Sequence, residues 1–185
     1  MIQTKADLKE YMSRDMAFYY AQSRRERMMC WLLNDPVFYI SKYIRCLRKE
    51  EYYGNTGKGV VGKICYLYYL RKKNKLGNVL GFKIPRNCIG PGLTIYHHGS
   101  IIINESARIG EDCRLHGDNC IGNNGMINCN PKIGNGLDLG VGAKIIGSVV
   151  LGDDVKVGAN AVVTRSHETG RITLVGIPAR EVRAK

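Results

Sequence analysis

An aliphatic side chain recurs at every sixth position between residues 87 and 163, and this period restricts the fold more than any other feature of the chain. An α-helix needs apolar spacings of three and four residues, whereas an ordinary β-strand needs a spacing of two. A sustained period of six instead predicts a parallel β-helix, in which each six-residue unit forms one short strand and one bend. All thirteen positions of the repeat hold Ile, Leu or Val: Ile89, Ile95, Ile101, Ile109, Leu115, Ile121, Ile127, Ile133, Leu139, Ile145, Leu151, Val157 and Val163.

The repeat contains one irregular step, of eight residues, between Ile101 and Ile109. Glycine follows seven of the thirteen aliphatic positions, where its missing Cβ allows the backbone to bend. Stacked coils bury their apolar sides against each other, so several coils are needed for stability. We therefore predict a mainly β fold, with a β-helix over residues 75–185 that follows an α-helical region over residues 1–74.

Capping signals mark the helices of the N-terminal region. Thr4 with Asp7 three residues later is typical of a helix start, and so is Asp35 followed by Pro36. The basic run RKKNK, from Arg71 onward, is typical of a helix end, where cations favour the helix dipole. The predicted helices cover residues 4–33 with a break near Gln22, residues 37–53 and residues 60–73, and a linker follows over residues 74–86.

The net charge of +12 is concentrated in the first 80 residues, which carry 16 Lys and Arg against 7 Asp and Glu. Such a basic region can meet nucleic acid, an anionic membrane surface or an acidic polymer, or it can be a solvated face. Ten of the eleven tyrosines also lie there, and tyrosines of this kind pack more often than they stack on bases. No nucleic-acid-binding motif accompanies them, so we expect no nucleic acid partner and keep peripheral membrane association open.

The cysteines indicate a reducing compartment. All seven are scattered singly without a CxxC pair, and their number is odd. Cys113 and Cys120 lie beside aliphatic positions of the repeat, so we expect both to be small apolar fillers. The first residues are charged and lack the apolar core of a signal peptide, which predicts a cytoplasmic protein.

Two adjacent histidines, His97 and His98, follow Ile95 just before the eight-residue step. A break in a strict repeat is a place where a functional site can form. Histidine is the usual general base near neutral pH because its pKa lies close to that pH. A surface imidazole at a bend is the alternative for each histidine. We predict His97 as the candidate catalytic base and His98 as its neighbour.

Several segments resemble the hexapeptide-repeat acyltransferases, and in particular the branch that contains serine acetyltransferases and polysaccharide O-acetyltransferases. They are GLTIYHHGSIIIN, NPKIG, GVGAKIIGSVVLGDDVKVGANAVV and VGIPARE, together with DPVFYISKYIR in the helical region. The resemblance implies a left-handed β-helix, a homotrimer that can pair into a dimer of trimers, and acetyl-CoA as the donor. It assigns the catalytic histidine, which takes the proton of an acceptor hydroxyl, to His97, and no metal is expected.

The resemblance also implies further site residues. Glu105 matches a glutamate that follows the histidine strand in serine acetyltransferases, and it is the second candidate catalytic residue. His98, His116 and Asn130 are candidates for binding the acceptor. The candidates for binding the pantetheine and phosphates of acetyl-CoA are small, amide or basic residues: Gly122, Asn123, Asn124, Val141, Gly142, Lys156 and Ala159.

Two departures from serine acetyltransferases bear on the acceptor. Those enzymes carry an aspartate that partners the histidine, where this chain has Gly81-Phe82-Lys83, and an Arg-His pair before Pro-Lys-Ile, where it has Cys129-Asn130. Because recognition of a carboxylate usually needs a guanidinium, the sequence favours a sugar hydroxyl of a surface polysaccharide over serine. Serine remains the alternative acceptor, and a non-catalytic trimeric scaffold is the alternative of another class. A zinc enzyme on the same fold would need three convergent histidines, and His97, His98 and His116 lack that spacing.

Overall fold

The computed structural model describes residues 1–20, 23–126 and 130–182. Within these ranges the N-terminal region contains four α-helices: α1 (Lys5–Tyr20), α2 (Arg24–Leu32), α3 (Pro36–Thr56) and α4 (Gly59–Leu80). In the described part of the chain, no helix is both long enough and apolar enough to cross a bilayer. The predicted break lies between α1 and α2, although Gln22 itself lies outside the described residues.

Side-chain caps begin the first three helices. The Thr4 hydroxyl accepts a hydrogen bond from the Asp7 backbone N–H at 3.0 Å. Ser23 and Glu26 form a reciprocal capping box at the start of α2. Asp35 accepts a hydrogen bond from the backbone N–H two residues later, at 2.8 Å, and Pro36 occupies the first turn of α3. Each cap satisfies a backbone donor that a helix start leaves without a partner, so the capping signals of Thr4 and Asp35 are confirmed.

The last helix differs from the prediction because it runs on to Leu80. Leu76 packs against the core and Leu80 is buried, so the apolar face of α4 continues through the basic run that we took as its end. The helix stops at Gly81, which has a left-handed φ of 82° and donates its N–H to the Gly77 carbonyl at 2.8 Å. The linker expected over residues 74–86 is therefore largely helical.

The rest of the chain winds through three parallel sheets in rotation, as a parallel β-helix does. Sheet 1 contains β1, β3, β6, β9 and β12; sheet 2 contains β4, β7 and β10; sheet 3 contains β2, β5, β8, β11 and β13, with β14 antiparallel at its end. The strands are β1 (Phe82–Lys83), β2 (Thr94–Ile95), β3 (Ile101–Ile103), β4 (Arg108–Ile109), β5 (Arg114–Leu115), β6 (Cys120–Gly122), β7 (Lys132–Ile133), β8 (Asp138–Leu139), β9 (Lys144–Ile146), β10 (Val150–Leu151), β11 (Lys156–Val157), β12 (Val162–Val163), β13 (Thr173–Val175) and β14 (Arg180–Val182).

The strand register corrects one position of the repeat. Ile133 pairs with Leu151 one regular coil later, but Ile109 pairs with Ile133 across a coil that is one hexapeptide longer. The extra residues lie between β6 and β7, where we counted Ile127 as another aliphatic position of the helix. Ile127 itself lies outside the described residues. The pairing of the strands on either side shows that the chain between β6 and β7 is one hexapeptide longer than in a regular coil, so the expectation of an uninterrupted register there is wrong.

The twelve described aliphatic positions all point inward and are buried. On one edge of the helix, glycines let successive coils approach each other: a methyl group on Gly90 would lie 2.7 Å from the Gly110 carbonyl oxygen, and one on Gly110 would lie 2.7 Å from the Gly134 carbonyl carbon. Cys113 is fully buried, as expected, and burial raises the pKa of its thiol to about 12. Cys120 instead lies on the outer side of β6 and is partly exposed, so its assignment as a core filler is wrong.

A buried ionic cluster joins the helices to the first coil. The Arg48 guanidinium of α3 donates to Asp15 of α1 at 2.6 Å and to Glu51 at 3.0 Å. It also donates to the carbonyl oxygens of Ile89 at 2.9 Å and Gly90 at 2.7 Å. Burial opposes the charge of Arg48, yet Glu51 and Asp15 hold its pKa above the ordinary value. The cluster therefore fixes α1 and α3 against the start of the β-helix.

Candidate active site

His97 lies at a corner of the β-helix, in the turn that carries the chain from sheet 3 to sheet 1. Its side chain is exposed, and among the residues that the structure describes it has no hydrogen-bond partner within the chain. Gly117 of the next coil lies against this corner, and a methyl group placed on it would be in ordinary van der Waals contact with the His97 Cβ, at 3.5 Å. Gly117 has a left-handed φ of 112°, a conformation of the turn that glycine allows without strain.

The same corner recurs in each coil and forms what we call the histidine edge, residues 96–100, 116–119, 140–143 and 158–161. Backbone hydrogen bonds connect its turns: Gly142 N–H donates to the Gly117 carbonyl at 3.0 Å, and Asn160 N–H donates to the Val141 carbonyl at 2.8 Å. Three predicted cofactor-binding residues lie on this edge with His97 and His98: Val141, Gly142 and Ala159. The histidine edge is therefore lined by small side chains and backbone amides.

Helix α1 holds the histidine segment from the other side. The Tyr19 hydroxyl donates to the Ile95 carbonyl at 2.8 Å and accepts from the Ile95 N–H at 2.9 Å. Phe18 packs edge-on against Tyr96, with 5.2 Å between the ring centroids. Both contacts act on the two residues that precede His97, so the helical region positions the candidate base.

The outer face of sheet 3 carries a polar cluster beside the histidine edge. His116 Nε2 lies 2.8 Å from Asp138 Oδ1, and since a carboxylate only accepts, Nε2 carries the proton of this hydrogen bond. The Tyr96 ring lies against the His116 ring, with 4.5 Å between the centroids and an angle of 35° between the ring planes. The Arg114 guanidinium lies 3.8 Å from Asp138 Oδ2. Lys156, a predicted cofactor-binding residue, is the neighbour of Asp138 on the next strand of this face.

Sequence reasoning singled out His116 but missed Arg114 and Asp138. A signal for both is present in the repeat, because each occupies the position directly before a buried leucine and therefore points outward. Strand pairing then aligns Arg114 with Asp138 in adjacent coils. The long insertion between β6 and β7 shifts this register, and only the structure shows which outward residues become neighbours.

The remaining predicted residues lie on a different corner, which we call the insertion edge; its described residues are 104–107, 123–126, 130–131 and 147–149. This edge carries the chain from sheet 1 to sheet 2. Glu105 is exposed there in the turn after β3. Gly122 is the last residue of β6, and Asn123 and Asn124 follow it directly. Asn130 ends the insertion and is half-buried. Sheet 1 separates this edge from the histidine edge, so one chain alone does not bring these residues to His97.

No group of three or more histidine, cysteine, aspartate or glutamate side chains is arranged to hold a metal ion within the described residues. The predicted site residues thus fall into two sets of one chain, the histidine edge with the adjoining face of sheet 3 and the insertion edge. The first set combines an exposed imidazole with backbone amides and small residues. Such a set can remove a proton from a bound hydroxyl and bind an extended ligand along stacked turns.

The chain matches no protein-family model. Serine acetyltransferases are similar to it in sequence: that of Helicobacter pylori is 38% identical over 107 residues, which are 56% of this chain and 62% of that protein. The serine acetyltransferase of Mycobacterium tuberculosis is 31% identical over 100 residues, 53% of this chain and 43% of that protein. The enzyme of Buchnera aphidicola from Acyrthosiphon pisum is 29% identical over 153 residues, 80% of this chain and 53% of that protein. The chain spans less than two thirds of the length of each of these relatives.

Solved structures extend the likeness to the whole fold. The serine acetyltransferase of Brucella abortus aligns with a TM-score of 0.71 at 23% identity, over 96% of this chain and 70% of that one. The enzyme of Neisseria gonorrhoeae aligns with a TM-score of 0.71 at 24% identity, over 97% of this chain and 68% of that one. A serine acetyltransferase in complex with CoA aligns with a TM-score of 0.69. The chain is therefore similar in sequence to serine acetyltransferases over about half of its length, and it shares their fold over nearly its whole length.

Proposed function

We propose that the protein is an O-acetyltransferase that uses acetyl-CoA as the donor and His97 as the general base. The observation that carries this proposal is the position of His97, exposed on the same edge as Val141, Gly142 and Ala159. Homology to serine acetyltransferases supports the same reaction class. A trimeric scaffold without activity gives no reason for an exposed imidazole on that edge.

The reaction needs two proton transfers, one to the His97 imidazole and one from it. The His97 imidazole takes the proton of the acceptor hydroxyl while the hydroxyl oxygen attacks the thioester carbonyl carbon of acetyl-CoA. A backbone N–H of the edge stabilises the negative charge that develops on the carbonyl oxygen. As the C–S bond breaks, the imidazolium returns its proton to the leaving sulfur. The products are an O-acetyl ester and CoA.

The donor lies along the stacked turns in this proposal. Val141, Gly142 and Ala159 leave the backbone accessible to the amides of the pantetheine arm. Lys156 is exposed on the neighbouring face and supplies a cation for a phosphate. Asn123 and Asn124 contribute amide groups from the insertion edge.

We propose that the protein is a homotrimer, with the left-handed β-helix that its resemblance to the hexapeptide-repeat acyltransferases implies, and the division of the site between two edges supports a site shared between subunits. In such a trimer the histidine edge of one subunit faces the insertion edge of its neighbour, so that Glu105, Asn124 and Asn130 approach a His97 from another chain. Symmetric homo-oligomers commonly complete their sites in this way, because every subunit then presents both halves. We also propose that two such trimers can pair through their helical regions.

Serine is the acceptor that the relatives support best, ahead of the sugar hydroxyl that the sequence favoured. The sequence argument against serine was the loss of an Arg-His pair before Pro131. Arg114 on the outer face of β5 supplies another guanidinium, and His116, which follows β5 on the histidine edge, supplies another imidazole. We propose that Arg114 binds the serine carboxylate and that His116, held by Asp138, orients the acceptor.

A sugar hydroxyl is the second candidate acceptor, because Asn130 is neutral where serine acetyltransferases carry histidine. A neutral amide suits a hydroxyl-rich acceptor without a carboxylate. Release of CoA thiol should be measured with serine and, separately, with nucleotide sugars and capsule oligosaccharides. We expect serine-dependent release, and turnover with a sugar but not with serine would reverse the assignment of the acceptor.

Arg114→Ala separates recognition of the acceptor from binding of the donor. If Arg114 holds the carboxylate, the KM for serine should rise on the order of tenfold, because a charged hydrogen bond contributes roughly 1.5–3 kcal/mol. The KM for acetyl-CoA should stay within about twofold of wild type. Arg165→Ala, at an exposed arginine elsewhere on the β-helix, is the matched control and should change neither constant. An unchanged KM for serine in Arg114→Ala would exclude this role.

A further inference from the structure

The helical region contains a cavity that is separate from the candidate active site. It is a cleft of about 900 Å³ between α1, α3 and α4, and all its lining residues belong to these helices. Its floor is apolar and includes Met16 and Cys46, which are 3% and 4% exposed. A cleft with this floor can accommodate an apolar group rather than water alone.

Five cations surround this floor. They come from three different helices: Lys9 from α1, Lys42, Arg45 and Lys49 from α3, and Lys72 from α4. Burial raises the pKa of the Cys46 thiol, while the charges of Lys72, Arg45, Lys49 and Lys42 oppose that rise. The five cations line the cleft around this thiol, so their charges surround one largely buried floor.

The four lysines of this set lack an acidic partner nearby. Among the residues that the structure describes, no carboxylate lines the cleft, and α4 contains no aspartate or glutamate. Within the described residues, no acidic group lies within 4.0 Å of Lys9, Lys42, Lys49 or Lys72. By contrast, the buried Lys73 one residue further on pairs with Glu50 at 2.7 Å. Like charges that lie close together repel one another, so an anion bound among them would reduce the electrostatic repulsion present in the free protein.

Aromatic side chains hold two of the lysines in place. The Lys49 ammonium lies over the Tyr69 ring, 5.1 Å from its centroid, and 3.4 Å from its hydroxyl. The Lys72 ammonium lies 3.2 Å from the Tyr68 hydroxyl and 5.3 Å from the centroid of that ring. Donors that are already oriented lose less conformational entropy when a ligand binds.

We propose that this cleft binds a ligand that carries a phosphate or pyrophosphate group next to an apolar portion. The phosphate contacts Lys42, Lys49 and Lys72, and the apolar portion covers Met16 and Cys46. Phosphate is the anion that fits, since its several oxygens accept hydrogen bonds from separate ammonium groups. Two sources share this chemistry, an anionic lipid headgroup and a soluble phosphate compound. The site is independent of the O-acetyltransferase reaction.

Binding should be measured by calorimetry with inorganic pyrophosphate, and by cosedimentation with vesicles of phosphatidylglycerol against vesicles of phosphatidylcholine. We expect the double variant Lys42→Glu with Lys49→Glu to bind at least on the order of tenfold more weakly than wild type. The matched control, Lys63→Glu with Lys75→Glu, makes the same change of charge on α4 outside the cleft and should bind like wild type. Lys42→Gln with Lys49→Gln, checked by circular dichroism, gives the same comparison without reversing the charge.

Cosedimentation with phosphatidylglycerol that pyrophosphate reverses would identify the lipid source. Binding of pyrophosphate without cosedimentation would identify a soluble phosphate compound, and both outcomes support the site. Equal binding by the cleft variant and its control would overturn the proposal, because the charge of the whole protein would then explain the binding. Failure of wild type to bind either probe would overturn it as well.

Discussion

His97→Ala should lose acetyl transfer on the order of a hundredfold or more, because it removes the group that takes the proton of the acceptor hydroxyl. The imidazole is exposed and has no hydrogen-bond partner within the described chain, so its loss should leave the fold intact. Steady-state release of CoA measures the effect. Circular dichroism and the oligomeric state in solution verify that the variant is folded.

Two matched variants make this prediction specific. His98→Ala removes the adjacent exposed imidazole and should retain most of the activity. His116→Ala removes the imidazole that is bonded to Asp138, and we expect a smaller loss that appears mainly in the KM of the acceptor. If His116→Ala abolished turnover while His97→Ala retained it, the base would be the His116–Asp138 pair and the assignment of His97 would be wrong.

Arg48→Ala should destabilise the protein by about 3–5 kcal/mol, since it removes one partner of a buried ion pair. Asp15 and Glu51 would remain buried and charged, and the carbonyl oxygens of Ile89 and Gly90 would lose their donor. The urea midpoint of unfolding measures the loss. Because Asp15 also accepts from the N–H groups of Gly92 and Leu93, at 2.8 Å each, α1 should loosen from the first coil.

Arg108→Ala is the control for the loss of an arginine, because Arg108 is exposed and donates only to nearby carbonyl oxygens. It should change the free energy of unfolding by less than about 1 kcal/mol. A similar small change in Arg48→Ala would mean that the buried cluster does not hold the helices on the β-helix. Reduced activity of Arg48→Ala at temperatures where it remains folded would agree with α1 positioning the His97 segment through Tyr19.

The fold was largely predictable because the period of six is a direct consequence of its geometry. Each coil needs one aliphatic side chain per side, and every described position of the repeat is buried. The spacing of the aliphatic residues did not reveal the longer connection between β6 and β7, because that connection is longer by one full period of six and leaves the count unchanged. The extent of α4 was not predictable from local signals, since the packing of Leu76 and Leu80 against the core outweighs the polar residues between them.

The candidate site was predictable in part. His97 was singled out by its position before the irregular step, whereas Val141, Gly142 and Ala159 came from the resemblance, and the structure brings all four to one edge. Their common edge follows from the period, because residues that occupy the same turn of successive coils stack. The proximity of Arg114, His116 and Asp138 was not predictable, because it depends on the length of the insertion and on side-chain directions outside the core.

Transfer of a labelled acetyl group is the most direct test of the central claim. The intact protein should be incubated with acetyl-CoA labelled in the acetyl group and with serine, and the products analysed by mass spectrometry. We predict that the label appears in an ester that hydroxylamine cleaves, with one CoA released for each ester formed, and that His97→Ala forms little of it. Label that stays on CoA with serine and with every sugar acceptor, or that appears on an amine, would contradict an O-acetyltransferase.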